Sequence, residues 1–401
     1  MNTVRHIFIG FALVFVCVIS NGQERVVPQR KSEQFELAYI LQMLEESFVY
    51  SFQASKFSNY SINDVLKEVD SDNGYYFSPL EYESWKKNSG SNFASVGLTV
   101  TSSSGALVLK PDVAGPAALA GLKDGDKLLE VDGKSSSQMT GYEANFRLMG
   151  AEGTSVAVLV SRAGSLEMLS VTLKRVFPTR QKVVFEMQGD ALVMRMPQVI
   201  DEVVLEETAK QIGQQWQRAP FKKVVLDLRK SWGGLLTSVV GIASIFLPQD
   251  SIIVKTVGKT AAANQTLRAT QSDYSRNPLK DPLSKIPNEL KVLPLAVLID
   301  ERSLAGAEFI AAALATHQRA VLLGRTTAGK GSVQTLRPTL SGGAVIFTTA
   351  YALSPNDKAI QGVGVAPMIS LRAAEDDSAT EVAIQHLTDQ AQGNRCALVS
   401  C

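Results

Sequence analysis

The chain is poor in the residues that usually carry metal and imidazole chemistry. Its 401 residues include three histidines, His6, His317 and His386, and three cysteines, Cys17, Cys396 and Cys401. No cysteine stands near a histidine pair with metal-ligand spacing, which argues against a zinc site and a histidine-based triad. Charge of one sign is missing too. The net charge is +1, so no basic surplus points to nucleic acid or an anionic membrane surface. Low-complexity tracts and repeats at a solenoid period are absent. The apolar run Ile7–Ile19 is too short to span a bilayer comfortably.

That run instead reads as the centre of a signal peptide covering residues 1–22, with Arg5 before it and Ser20-Asn21-Gly22 behind. Export follows, with a mature start near Gln23. Val16 precedes Cys17 where a lipoprotein site needs a small residue. Cys17 leaves with the signal, and Cys396 and Cys401 form either a small terminal disulfide loop or two free thiols. A composition of 45% hydrophobic and 20% charged residues describes an ordinary globular protein, here long enough for two or three domains.

Residues 23–92 read as a helical segment. Phe35, Leu37, Ala38, Leu41, Leu44 and Phe48 recur at helical steps within 34–57. Further helices are expected over Ile62–Val69 and from Pro79, with a turn at Ser71-Asp72-Asn73-Gly74 between them. Over residues 93–176 short alternating strands take over, with one helix, Tyr142–Met149, and turns at Asp124-Gly125 and Asp132-Gly133. This composes a small, partly open barrel. Gly115-Pro116-Ala117-Ala118 through Asp124-Gly125-Asp126, followed by Leu128-Leu129-Glu130-Val131-Asp132-Gly133, resembles a PDZ domain. The resemblance implies binding of extended protein or peptide C-termini, with Ser95, Val96, Gly97 and Leu98 as the loop that holds the terminal carboxylate.

From residue 177 to 375 strands alternate with helices, the mark of an α/β layer with crossovers. Expected strands are Val224–Leu228, Ile252–Val257, Leu295–Ile299 and Val321–Leu323; expected helices are Leu235–Phe246 and Gly306–Thr316. Residues 376–401 are read as a C-terminal helix and tail. Ligands in such layers gather where strands end and helices begin, as Gly233-Gly234 and Ala305 do. Gly324 to Lys330 nearly matches a phosphate-binding loop, but Gly331 replaces the required hydroxyl and the alternation of Ser332–Arg337 is not helical. A lysine between Gly329 and Gly331 suits a general base, because burial would disfavour its charged form. Its nucleophile belongs at a helix N-terminus, where amides stabilise developing negative charge. Residue 305 stands there, and it is alanine.

Four motifs in order carry a wider resemblance. Asp227-Leu228-Arg229-Lys230-Ser231-Trp232-Gly233-Gly234 is similar to D-L-R-x-N-x-G-G, with Ser231 for Asn. Ser303-Leu304-Ala305-Gly306-Ala307-Glu308 is similar to S-A-S-A-S-E, and Gly329–Gln334 to G-K-G-[TS]-V-Q. Gln361–Pro367 is similar to Q-G-x-G-[IV]-x-P, with Met368 in place of the usual acid. By these the chain resembles the carboxyl-terminal-processing peptidases, or tail-specific serine proteases. The family's L-D-P-H-S reads Val69-Asp70-Ser71-Asp72-Asn73 here.

The resemblance implies an α/β multidomain fold: helical segment, PDZ-like barrel, and a ClpP/crotonase-like serine protease core. It implies Lys330 as general base, Gln334 as the residue orienting it, and Gly306, Gly233 and Gly234 as the oxyanion hole. The nucleophile position falls on Ala305. No cofactor or metal is implied. Partners are protein C-termini, with an envelope adaptor and a homo-oligomer as further options, in the bacterial periplasm or envelope. As written, the chain is expected to be proteolytically inactive. The alternatives are an active lineage whose serine was exchanged, which Ala305→Ser would restore, and a non-catalytic envelope scaffold.

Overall fold

A computed structural model describes residues 29–88, 94–103, 105–112, 115–165, 167–177 and 182–399. The signal peptide expected at residues 1–22 and Cys401 of the terminal cysteine pair lie outside these, as does Phe93 at the expected start of the PDZ-like region.

The N-terminal cap comprises α1 (Gln29–Ser47), α2 (Ile62–Val69), β1 (Tyr75–Phe77) and α3 (Pro79–Asn88). α1 stops at Ser47, short of the expected 57. The Val49 N–H donates to the Thr348 carbonyl (3.1 Å), which draws the chain out of the helix. Phe48, Phe52 and Phe57 then pack as an aromatic group instead of continuing a helical stripe. α2 begins where the Ser61 hydroxyl accepts the Asp64 N–H, a standard N-cap.

The second unit contains β2 (Leu98–Ser103), β3 (Ala106–Pro111), α4 (Pro116–Leu119), β4 (Lys127–Val131) and β5 (Lys134–Ser135). It continues with α5 (Gly141–Leu148), β6 (Ser155–Ser161) and β7 (Met168–Lys174). The sheet runs β2-β3-β4-β6-β7, with β5 on β4, and β2 is an edge strand. Bridges of Ala94 with Gly150 and of Ser95 with Val176 draw its start and end together. Alternating Val96, Leu98, Val100, Val156, Val158 and Val160 fill its core.

The third unit opens with β8 (Val184–Gln188), β9 (Ala191–Arg195), β10 (Val199–Ile200), α6 (Glu202–Arg218) and β11 (Lys223–Asp227). Next come β12 (Gly233–Gly234), α7 (Leu236–Ser244), β13 (Ile252–Gly258), β14 (Gln265–Arg268) and the short α8 (Gln271–Tyr274). It closes with β15 (Leu295–Ile299), α9 (Gly306–Thr316), β16 (Val321–Gly324), β17 (Ser332–Pro338), β18 (Ala344–Leu353), β19 (Ile369–Ser370) and α10 (Ala379–Val399).

One sheet of this unit has the order β19-β16-β15-β11-β9-β8, parallel except at β8–β9. Its central strands β9, β11 and β15 are buried on both faces, as a sheet covered on two sides requires. Leu226, Val297 and Leu322 face the core shared with α6, α7 and α9. Val225, Ala296, Leu298 and Leu323 face Ala379, Ala383 and Leu387 of α10. The C-terminal helix is therefore a layer of the core. A second sheet, β1-β18-β13-β14 with β17 on β18, joins cap to core, because Tyr75 pairs with Ile346 and Phe77 with Ala344. The second unit leans on that junction: Tyr142 and Phe146 of α5 pack against Tyr75 and Phe77 at ring separations of 5.1–6.1 Å.

Candidate active site

Two strand ends build the site. β15 ends at Ile299, and the Asp300 carboxylate then accepts the N–H groups of Lys230 (3.0 Å) and Arg302 (3.1 Å). The Ser303 hydroxyl lies 2.9 Å from the Leu228 carbonyl and 3.1 Å from Asp300 Oδ1, and it accepts the Asp300 N–H (3.0 Å). Ser303 is 0% exposed, so its hydroxyl is committed to tying β15 to the end of β11 and cannot meet a substrate.

Two residues on, Ala305 takes φ 50°, ψ −117°, outside the regions an L-residue prefers. Such strain persists only where the surroundings over-determine it, and here they do. The Leu304 N–H is fixed to the Ser231 carbonyl (3.0 Å), and the Ala305 N–H donates to Glu308 Oε2 (2.8 Å). The residue is half-buried at the start of α9, and the next amide, Gly306 N–H, has no acceptor among the described residues.

The second wall is the Gly233–Gly234 segment, expected as a turn and found as β12, paired parallel with β10. Gly233 has φ +82°, and a Cβ on it would lie 2.3 Å from the Gly306 nitrogen. Only glycine allows these two backbones to touch. Gly233→Ala is expected to cost about 3 kcal/mol or more in unfolding free energy, read from urea denaturation. A loss below about 1 kcal/mol would show that the two segments need no such approach.

Glu308 joins the elbow to the lysine loop. It is 0% exposed, and its carboxylate accepts Ala305 N–H (2.8 Å), Thr327 O–H (2.5 Å), Gly329 N–H (2.7 Å) and Lys330 N–H (2.7 Å). Residues 305 and 330, far apart in sequence, thus lie within two hydrogen-bond lengths through one oxygen, Oε2. Burial raises the Glu308 pKa above the ordinary carboxylate value, and the four hydrogen bonds oppose that rise. The Gln361–Pro367 stretch locks the loop from outside. Gly331 N–H donates to Gln361 Oε1 (2.8 Å), Gly362 N–H to the Gly329 carbonyl (2.8 Å), and Val365 N–H to Thr327 Oγ1 (2.7 Å).

Two expectations need correction. The Lys330 side chain is exposed, not held in the core, because the glycines on either side bury their own backbone and leave it at the surface. Gln334 does not bond Lys330. Its Nε2 donates to Ser332 Oγ (2.9 Å) and lies 3.5 Å from Thr348 Oγ1. The structure therefore gathers Ala305, Gly306, Gly233 and the backbone of Lys330, and leaves Gln334 one strand step away. Ser95, Val96 and Gly97 form the loop before β2 in the second unit, where Gly97 has φ +62°, and Leu98, expected in that loop, is the first residue of β2. That unit touches the core where Gln198 Nε2 donates to Asp112 Oδ1 (3.3 Å).

Sequence reading missed Glu308, Thr327, Gln361 and Asp70. The signal for Glu308 was a lone acid in an Ala-rich helix, three residues past its N-cap. Asp70 is buried, accepts the Thr348 N–H (2.7 Å) and hydroxyl (3.2 Å), and has its pKa raised by that burial.

A strained elbow at a helix start, a facing glycine strand and a lysine loop form one site, and a separate antiparallel-sheet unit precedes it. The family model for Peptidase family S41 matches residues 191–371, and that for the PDZ domain matches residues 107–162. A carboxy-terminal-processing protease of Bartonella bacilliformis is 30% identical over 312 residues, 77% of this chain and 68% of that one. A probable CtpA-like serine protease of Staphylococcus haemolyticus is 25% identical over 359 residues, 89% and 68% of the two chains. The solved photosystem II D1 C-terminal processing protease superposes with a TM-score of 0.67 at 21% identity, covering 85% of this chain and 93% of that one, a likeness of fold. The chain belongs to the carboxy-terminal-processing protease family, peptidase family S41, and carries its PDZ domain.

Proposed function

We propose that this chain is an exported family member that captures protein C-termini through its PDZ domain and does not hydrolyse peptide bonds. The observation that carries the reading is Ala305 on the strained elbow. The motif that resembles the family's S-A-S-A-S-E puts the nucleophile at this residue. A methyl group has neither a lone pair to attack a carbonyl nor a proton to surrender to Lys330. The rest of the site suits acyl chemistry: the Gly306 N–H stands at the first turn of α9, beside Gly233, where an oxyanion would be stabilised.

The test is a digest of unfolded casein beside a peptide titration. The expected result is no cleavage above buffer, with binding of a peptide that has a free C-terminal carboxylate and none of its amide. Cleavage by the homogeneous protein would overturn the reading. Export rests on residues 1–22. Edman sequencing of the protein recovered from the cell envelope is expected to start near Gln23, and a start at Met1 would refute it.

The backbone strain favours a second reading of how the chain arose. Strain at Ala305 costs stability and serves no side chain that can react. That is expected of an active serine peptidase in which one residue was exchanged.

A further inference from the structure

We infer that Asn145 is an internal stand-in for the ligand in the PDZ groove, and that a C-terminal peptide binds by displacing it. The inference rests on the reading above, that this domain binds C-termini. β2 pairs with β3 on one side, and α5 packs along its other edge. Val100 of β2 stands opposite Leu109 of β3. Leu109 turns its N–H to the Asp126 carbonyl (2.8 Å) and its carbonyl to the Gly125 N–H (3.1 Å), both away from β2. Opposed residues of an antiparallel ladder either exchange both bonds or face outward together. The N–H and C=O of Val100 therefore point to the free edge, where an added strand would pair.

Both groups are already engaged. The Val100 N–H donates to Asn145 Oδ1 (2.8 Å), and Asn145 Nδ2 donates to the Val100 carbonyl (2.7 Å). A carboxamide that presents one acceptor and one donor to one strand residue offers what a backbone residue of a bound peptide would offer. A third bond, from Asn145 Nδ2 to the Gly141 carbonyl (2.8 Å), holds the amide in that pose from within α5. The loop before β2 is self-engaged as well, since the Gly97 N–H donates to Ser95 Oγ (3.3 Å). Val96, Leu98 and Leu148 lie buried at this end of the sheet, which matches an apolar terminal residue on the incoming chain.

The experiment uses the full chain and a fluorescein-labelled decapeptide ending in valine with a free carboxylate. Asn145→Ala removes the competing amide and suits a helix. It is expected to tighten Kd about tenfold, the worth of two neutral hydrogen bonds no longer to be displaced. Hydrogen exchange at the Val100 amide supplies a readout independent of affinity. It is expected to be slow in the unliganded parent, fast in the unliganded variant, and slow in the variant with peptide. Measurable binding with equal affinity and equal Val100 exchange in both proteins overturns the inference alone. Binding by neither protein removes the peptide-binding reading, and the inference with it.

Discussion

Ala305→Ser is expected to give cleavage of unfolded casein about a thousandfold or more above the parent protein, because loss of a catalytic nucleophile costs several orders of magnitude in rate. The elbow is already strained into the form that presents a side chain, and residue 305 is only half-buried. The Glu308 carboxylate fixes the elbow beside the Lys330 loop whichever residue occupies position 305, since it binds backbone N–H groups. Lys330→Ala added to Ala305→Ser is expected to return cleavage to the baseline, as the hydroxyl then has no base. The Lys330 amine is exposed, so productive geometry requires the lysine to turn inward when a substrate covers the site. An inert but correctly folded Ala305→Ser protein would sink the idea that a single side chain separates this chain from a peptidase.

Glu308→Gln is expected to cost about 3–5 kcal/mol of stability, read from urea denaturation followed by circular dichroism. Four donors converge on the two carboxylate oxygens, and glutamine would turn an NH2 group towards some of them. Each buried donor left unpaired costs about 1–3 kcal/mol, and the four share one network, so the costs do not add fully. The pH dependence has a definite sign. Burial raises the Glu308 pKa, so the folded state binds this proton more tightly than the unfolded chain does. Its contribution to stability is complete below the ordinary value of 4.5 and is lost as pH rises through the raised one. The parent is expected to lose stability over that interval relative to Glu308→Gln. A parallel pH profile for the two proteins would show that Glu308 does not titrate there.

The repeating parts of the fold were legible in the sequence. α2, β15 and α9 match their expected residues, because local apolar spacing and helix-start signals set them. The end of α1 was not, since a distant carbonyl, that of Thr348, captures Val49. α6 could have been read, with Asp201 at its N-cap and Val204, Leu205, Thr208, Ala209 and Ile212 on one face. The pairing of β1 with β18 could not, because strand partners far apart in sequence leave no local mark. At the site the motifs located the elbow, the glycine wall and the lysine loop. They could not tell that the lysine side chain would face solvent, that Gln334 would bond Ser332, or that an acid would bind the parts together. Those outcomes depend on which groups meet after folding.

The turn from Asp70 to Asn73 works as a keystone. Asp70 holds Thr348 of the protease core, while the Ser71 carbonyl accepts the Gly141 N–H at the start of α5. Beside it, Tyr142 and Phe146 lie against Tyr75 and Phe77. The PDZ unit is thus a graft set into the joint between cap and core, not a bead on a string. Excised at residues 94–177, it would carry an aromatic face into water and lose the carbonyl that holds the start of α5.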